Sequence, residues 1–256
     1  MDILLNILTP AQFALAAAGI LFASLMRAFS GFGFALTAVP VFSLFLAPGD
    51  AVVLAAALTL SVSLMTYRAW WGKFDATIYW PMVAGSIIGT GVGVTLLSQF
   101  STEQFQLWIG LTVIGACLLL SQYQPGAARG GPWWAAGTGV ASGAMNGAFA
   151  IPGPPAIIYA MACITKPAES RAFLMAFFMA SNAISLPMFA VAGLVTVTPF
   201  YLLLIGLPVM ILGDRLGAWL FHRYGGVAYR PIALGVSLAI GFSITGRALW
   251  SMGFIA

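Results

Sequence analysis

The sequence predicts an all-α polytopic membrane protein made of two repeats, and three observations carry that expectation. The 256 residues are 61% hydrophobic and only 6% charged, which excludes an ordinary soluble domain. The apolar residues fall into runs of spanning or near-spanning length, separated by short polar loops. Two helix-breaking runs sit at corresponding places in the two halves. The first is Ser30-Gly31-Phe32-Gly33, with Arg27 just before it. The second is Asn146-Gly147 followed by Pro152-Gly153-Pro154-Pro155. Unpaired backbone groups are costly in hydrocarbon, so broken helix survives only where it is buried or lines a cavity. Paired breaks in two halves point to a transport site.

The apolar segments follow in order. Residues 11–29 lead into the first break, and 34–47 form a shorter run ending at Pro48-Gly49-Asp50. Residues 51–66 come next, then the loop 68–75, then 77–97 and 105–120, separated by Ser101-Thr102-Glu103. Residues 123–132 are polar and Gly-rich and read as a linker. The second half repeats the order: 133–149 lead to the second break, 156–164 form a short run, and 168–192, 200–221 and 232–250 complete the chain. This gives repeats 1–125 and 126–256, of about four apolar segments each. Pro48-Gly49-Asp50 matches Pro167-Ala168-Glu169, Ser63 falls opposite Asn182, and Gly89 and Gly93 match Gly213 and Gly217.

A spanning helix needs about 20 residues at about 1.5 Å each. Runs 34–47 and 156–164 are too short, so each is expected to be one limb of a broken or re-entrant helical hairpin. Loop charges bear on orientation. Arg68 and Lys73, Arg129, Lys166 with Arg171, and the group His222, Arg223 and Arg230 mark cytoplasmic loops. Arg129 and Lys166 then share a side, so the chain between them crosses an even number of times. Carried through, both termini lie outside and the repeats are inverted. Arg247 counts against this, and parallel repeats of ordinary spans are the alternative. The excess of 10 Lys+Arg over 6 Asp+Glu is scattered and reads as orientation signal, so no nucleic-acid partner is expected. Trp70, Trp71, Tyr79, Trp80, Trp133, Trp134, Tyr224, Tyr229 and Trp250 read as an interfacial belt. The start Met1-Asp2 lacks a basic n-region, so the first apolar run is expected to be retained. Cys117 and Cys163 lie in apolar runs and are not expected to form a disulfide or metal pair.

Arg27 leads the candidates for chemistry. A cation deep in an apolar segment is expensive and marks a functional site by default. Its guanidinium suits a multi-oxygen anion, and the Gly-rich break beside it frees backbone N–H groups. The alternative is a snorkelling arginine that only sets orientation. Ser30, Gly31, Phe32 and Gly33 supply the first break, where glycine lets a ligand approach the main chain. Asn146, Gly153 and Pro154 mark the second, and consecutive prolines there imply irregular backbone. Asn146 and Asn182 could donate to a substrate or bond between helices. Ser63 and Ser181 are weaker candidates, since serine often bonds back to its own helix. Asp214 is the coupling candidate. Its bland reading is a partner for a nearby cation. His222 reads as interfacial, and Asp50 and Glu169 as helix N-terminal charges. With a single histidine and no P-loop, neither an enzyme, a metal site nor an ATPase is expected, and no cofactor is called for. A cation or metal permease is disfavoured by the scarcity of intramembrane acids.

At these residues the chain resembles the TauE/SafE family, also called sulfite exporters or toluene-sulfonate uptake permeases. The run Gly31-Phe32-Gly33-Phe34-Ala35-Leu36-Thr37-Ala38-Val39-Pro40 is similar to that family's G-F-G-x-x-L-x-x-x-P stretch. Asn146-Gly147, Gly153-Pro154-Pro155 and Tyr159 are similar to its N-G…G-G-P-P…Y stretch, with Pro152 where a second glycine is expected. The resemblance implies a permease of the inner membrane that exports a small sulfur-containing anion, such as sulfite, sulfoacetate or another organosulfonate. The expected site lies near the midplane at the repeat interface. Arg27→Ala is then expected to abolish anion binding and leave the fold intact. With an inside-negative potential, each exported negative charge gains about 2.3 kcal/mol per 100 mV, which favours simple export. The alternatives are a proton-coupled importer using Asp214 and a non-transporting membrane subunit or assembly factor. The expected partners are the anion and the bilayer, and a homodimer is one assembly that the sequence allows.

Overall fold

A computed structural model describes residues 9–30, 33–122, 130–224 and 229–253. Among them the fold is all-helical, with no strand. The first half contains α1 (Pro10–Ser30), α2 (Phe34–Phe42), α3 (Pro48–Met65), the single turn α4 (Tyr67–Trp70), α5 (Ala76–Leu97) and α6 (Thr102–Gln122). The second contains α7 (Pro132–Phe149), α8 (Gly153–Cys163), α9 (Pro167–Val191), α10 (Val197–Tyr224) and α11 (Tyr229–Ser251). Helices α1, α3, α5, α6, α9 and α10 are long and apolar enough to cross a membrane. With 9 and 11 residues, α2 and α8 are not. They extend about 14 and 17 Å, against a hydrocarbon core of about 30 Å.

Local sequence fixes the helix starts. Thr9 and Gln12 cap each other reciprocally at α1 (Thr9 N to Gln12 Oε1, 2.9 Å; Gln12 N to Thr9 Oγ1, 3.3 Å). Ser101 and Gln104 do the same at α6. Both are capping boxes. Pro10, Pro48, Pro132 and Pro167 occupy first helical positions, where a missing N–H costs nothing. Asp75 caps α5 by accepting from the Thr77 N–H at 2.8 Å. The Thr77 hydroxyl and N–H together hold its carboxyl below the ordinary range.

The same rule corrects the second break. Asn146-Gly147 are helical and belong to the last turn of α7, and Gly153-Pro154-Pro155 are helical and open α8. Prolines in a first turn surrender N–H groups that have no helical partner anyway. Only residues 150–152 are irregular. Ala150 ends α7 in the left-handed region (φ 54°, ψ 28°), and its N–H donates to Asn146 O at 2.7 Å. A side chain there costs about 1–2 kcal/mol relative to glycine. Ala150→Gly relieves that strain but adds unfolded-state freedom. It should leave stability unchanged or raise it by up to about 1 kcal/mol, read as detergent melting temperature. Ala150→Val should lower it by about 1–3 kcal/mol.

Two aromatic assignments are also corrected. Trp70 is 2% exposed and Tyr79 5%, so both are core residues rather than interfacial ones. Each has a buried partner for its polar atom: Trp70 Nε1 donates to Ser63 O at 3.2 Å, and the Tyr79 hydroxyl to Ala176 O at 3.3 Å. Trp71, Trp80, Trp133, Trp134 and Trp250 are exposed, as a belt requires. Tyr224 and Tyr229 have side chains outside the described set, as do His222 and Arg230. The linker reading of 123–132 falls mostly on residues outside it, Arg129 included.

The chain packs as two units. The first comprises Met1–Leu58, Phe100–Cys117 and Val195–Ala256, and the second Thr59–Gln99 and Leu118–Leu194. Glycines set the tightest contact in each. In the second unit, Gly85, Gly89 and Gly93 of α5 face Gly139, Gly143 and Gly147 of α7 at four-residue spacing. A Cβ on Gly89 would collide with Val140 O and lie 2.8 Å from Ala144 N, and a Cβ on Gly143 would collide with Ser86 O. In the first unit, Gly213 and Gly217 of α10 lie on α1, where a Cβ would come within 2.6 Å of Ser24 Cβ and of Ala28 Cβ. Small residues four apart let backbones approach where hydrophobic segregation gives no drive.

Candidate functional site

The structure gathers the sequence candidates into two groups, one in each unit. The first is built on the α1–α10 contact. Gly213 and Gly217 bring α10 against Ser24 and Ala28, and this seats Asp214 beside Arg27. Arg27 Nη2 donates to Asp214 Oδ2 at 2.6 Å. The side chains are 9% and 19% exposed, so the pair is largely withdrawn from solvent. Arg27 is the one buried charged residue among those whose side chains are described. Arg215, next to Asp214, is exposed.

This pair is held by a single hydrogen bond. Arg27 Nε and Asp214 Oδ1 are both buried and have no hydrogen-bond partner among the described residues. A guanidinium carries five donors and can grip a carboxylate through two parallel bonds. That grip is not made here, so Arg27 keeps buried donor capacity. It also lies in the last turn of α1, where a cation complements the helix dipole.

Ser30 ends α1, its side chain lying outside the described set, and Gly31 and Phe32 lie outside it as well. Gly33 is described: φ is 99° and ψ −2°, a backbone that glycine adopts freely, and it precedes α2 with no side-chain cap. The first turn of α2 is buried: Phe34 is 2% exposed, Ala35 8% and Leu36 4%. One turn further along, Thr37 Oγ1 and Ser237 Oγ of α11 lie 3.4 Å apart, both buried.

The second group surrounds one turn of α9. Asn146 Nδ2 donates to Ser181 O at 3.0 Å, and Asn182 Nδ2 to Phe178 O at 2.7 Å. A Cβ on Gly153 would lie 3.9 Å from Phe178 Cζ, so the start of α8 meets the same turn. Asn146, Gly153 and Asn182 are therefore neighbours around residues 178–182, with Pro154 buried in the first turn of α8. Asn146 uses one amide N–H to bond between helices α7 and α9, the structural role weighed from sequence, whereas Asn182 bonds back to its own helix four residues earlier. Among the described residues their Oδ1 atoms are buried without a partner, as are the hydroxyls of Thr90, Ser142 and Ser181.

Sequence reasoning singled out neither Ser142 nor Thr90. The signal for Ser142 was its four-residue spacing from Asn146, which places both on one face of α7. Its neighbour Gly143 is packing material, lying on Ser86. Both cysteines are free thiols.

Comparison with known proteins adds what geometry does not supply. A family model described as sulfite exporter TauE/SafE matches residues 15–244. A "Probable sulfite/organosulfonate exporter TauE" of Cupriavidus necator is 29% identical over 224 residues, covering 84% of this chain and 86% of the relative. No solved structure matches the chain significantly. The family match and the relative together indicate a membrane exporter of the sulfite or organosulfonate kind. The match spans nearly the whole chain, so the chain belongs to the TauE/SafE sulfite exporter family and is a multi-pass protein of the plasma membrane.

Proposed function

We propose that this protein exports a small sulfur-containing anion, such as sulfite, sulfoacetate or another organosulfonate, with Arg27 as its charged anchor. The observation that carries the reading is the burial of Arg27 with an unpartnered Nε. A buried guanidinium with spare donors is a ready receptor for a multi-oxygen anion. The break before α2 adds a positive helix end with no side-chain cap. The second unit holds its own separate set of buried donors, the hydroxyls of Ser142 and Ser181 and the second N–H of Asn146 and of Asn182, of a kind that suits sulfonate oxygens.

The proposal places the anchor at a contact between inverted repeats near the midplane. Arg27 belongs to the first helix of one half and Asp214 to the fourth apolar segment of the other. The packing supports a repeat relation. Gly89 and Gly93 seat α5 on α7, and the corresponding Gly213 and Gly217 seat α10 on α1. Each fourth segment thus lies on the first segment of the opposite half. Outward movement of an anion follows the membrane potential, at about 2.3 kcal/mol per charge per 100 mV.

The test is thermal stabilisation of the purified protein by sulfite, sulfate, sulfoacetate, taurine and carboxylate analogues, followed by efflux from proteoliposomes. Selective stabilisation by a sulfur anion, together with its efflux, is the expected result. No stabilisation by any anion, combined with no efflux of sulfite or sulfoacetate, overturns the proposal.

A further inference from the structure

We infer that Asp214 is a built-in stand-in for the transported anion: it occupies Arg27 when the site is unloaded, so that the empty transporter can return without a net buried charge. The inference rests on the proposed role of Arg27 and adds a role for its partner. Three features of the pair carry it. The two charges come from helices far apart in sequence, and the α1–α10 glycine contact holds them together. The bond is single, leaving Arg27 Nε and Asp214 Oδ1 buried and unpartnered on either side of it. No other cation is buried among the residues whose side chains are described. On α10, Arg215 and Arg223 are exposed, with Arg223 over the Trp219 ring, and on α11 Arg247 is exposed.

A purely structural ion pair in so dry a place would be expected to use the two-bond fork, because burying either charge is costly unless its hydrogen bonds are satisfied. A single bond with donors to spare suits an exchangeable partner. An incoming sulfonate offers three acceptor oxygens to the guanidinium and meets Asp214 as a like charge, so it takes over Arg27 as Asp214 withdraws. Once the anion leaves, Arg27 would be an isolated cation in the membrane, and Asp214 closes on it again. Reorientation of the empty form then moves no net charge from this pair. Net efflux can therefore run without an anion returning in exchange.

The test is Asp214→Asn in proteoliposomes and in detergent, with sulfoacetate as the probe. The amide keeps the size and an acceptor oxygen while removing the competing charge. Sulfoacetate should bind the variant at least tenfold more tightly than wild type. The variant should melt lower in anion-free buffer and gain more from sulfoacetate than wild type does. The ratio of sulfoacetate exchange to net efflux should rise at least tenfold, because loaded forms still reorient and the empty form carries an uncompensated cation. Unchanged or weaker binding in the variant, or an unchanged ratio, overturns the inference and leaves the proposed export intact. Should the variant not fold, wild type decides alone. Net efflux within about tenfold of exchange is expected, and exchange faster than that overturns the inference. Wild type that neither binds nor moves sulfoacetate or sulfite overturns the proposed function and this inference with it.

Discussion

Arg27→Ala is expected to cost about 3–5 kcal/mol of stability as well as all measurable anion binding, because it leaves Asp214 without its partner at a site largely closed to solvent. The sequence-based expectation that this variant keeps its fold is therefore revised. The informative variant is the double change Arg27→Gln with Asp214→Asn, which removes both charges and keeps hydrogen-bonding groups of similar size. It should melt within a few degrees of wild type and show no stabilisation by sulfite or sulfoacetate. A folded double variant that binds these anions with wild-type affinity would remove Arg27 from the site. Comparing the single and double changes separates loss of a ligand from loss of a counter-ion.

The second large effect is expected at Gly89. A leucine there would drive its Cβ into the backbone of α7 at Val140 and Ala144, and a helix backbone cannot move aside as a side-chain tip can. The α5–α7 contact must open along its length, so Gly89→Leu should destabilise by about 4 kcal/mol or more, within the range reserved for gross overpacking. Gly91, two residues away on the same helix, is the control. A Cβ there meets nothing within 4 Å. Gly91→Ala should be neutral, or stabilising by up to about 1 kcal/mol through helix propensity. Denaturation in detergent measures both, and equal effects at the two positions would contradict the packing described.

Much of the helical framework could be read from the sequence, because run length and capping chemistry act locally. The shortness of the runs that became α2 and α8, the Pro-led starts of α3, α7 and α9, and the ends of α5 near Asp75 and Ser98 all follow from neighbouring residues. The second break was drawn too wide for an equally local reason. Asn146-Gly147 and the proline pair look like breakers as letters, yet one belongs to a last turn and the other to a first turn, where the helix tolerates them.

The parts of the site that could not be read are the long-range ones. Asp214 was open to pairing with some cation, but nothing in one sequence identified Arg27 as that cation. Gly89 and Gly93 were visible as matches to Gly213 and Gly217, while the partner each stripe packs on was not. Trp70 was assigned to the interface because tryptophan favours it. Its indole is instead claimed by Ser63 O in the same unit, a contact that depends on how the chain turns back at α4.

The contact between α1 and α10 has a consequence for how the protein is made. Arg27 and Asp214 are 187 residues apart along the chain. At about 5–20 residues per second, the ribosome delivers Asp214 about ten to forty seconds after Arg27 has been threaded into the translocation machinery. During that wait the first helix holds a cation whose eventual partner has not been synthesised. α5 likewise waits for α7, though far more briefly. Early insertion of α1 must therefore be sustained by its apolar residues, by water at the insertion channel or by headgroups near its end. Its tight seat is completed only when the tenth helix arrives.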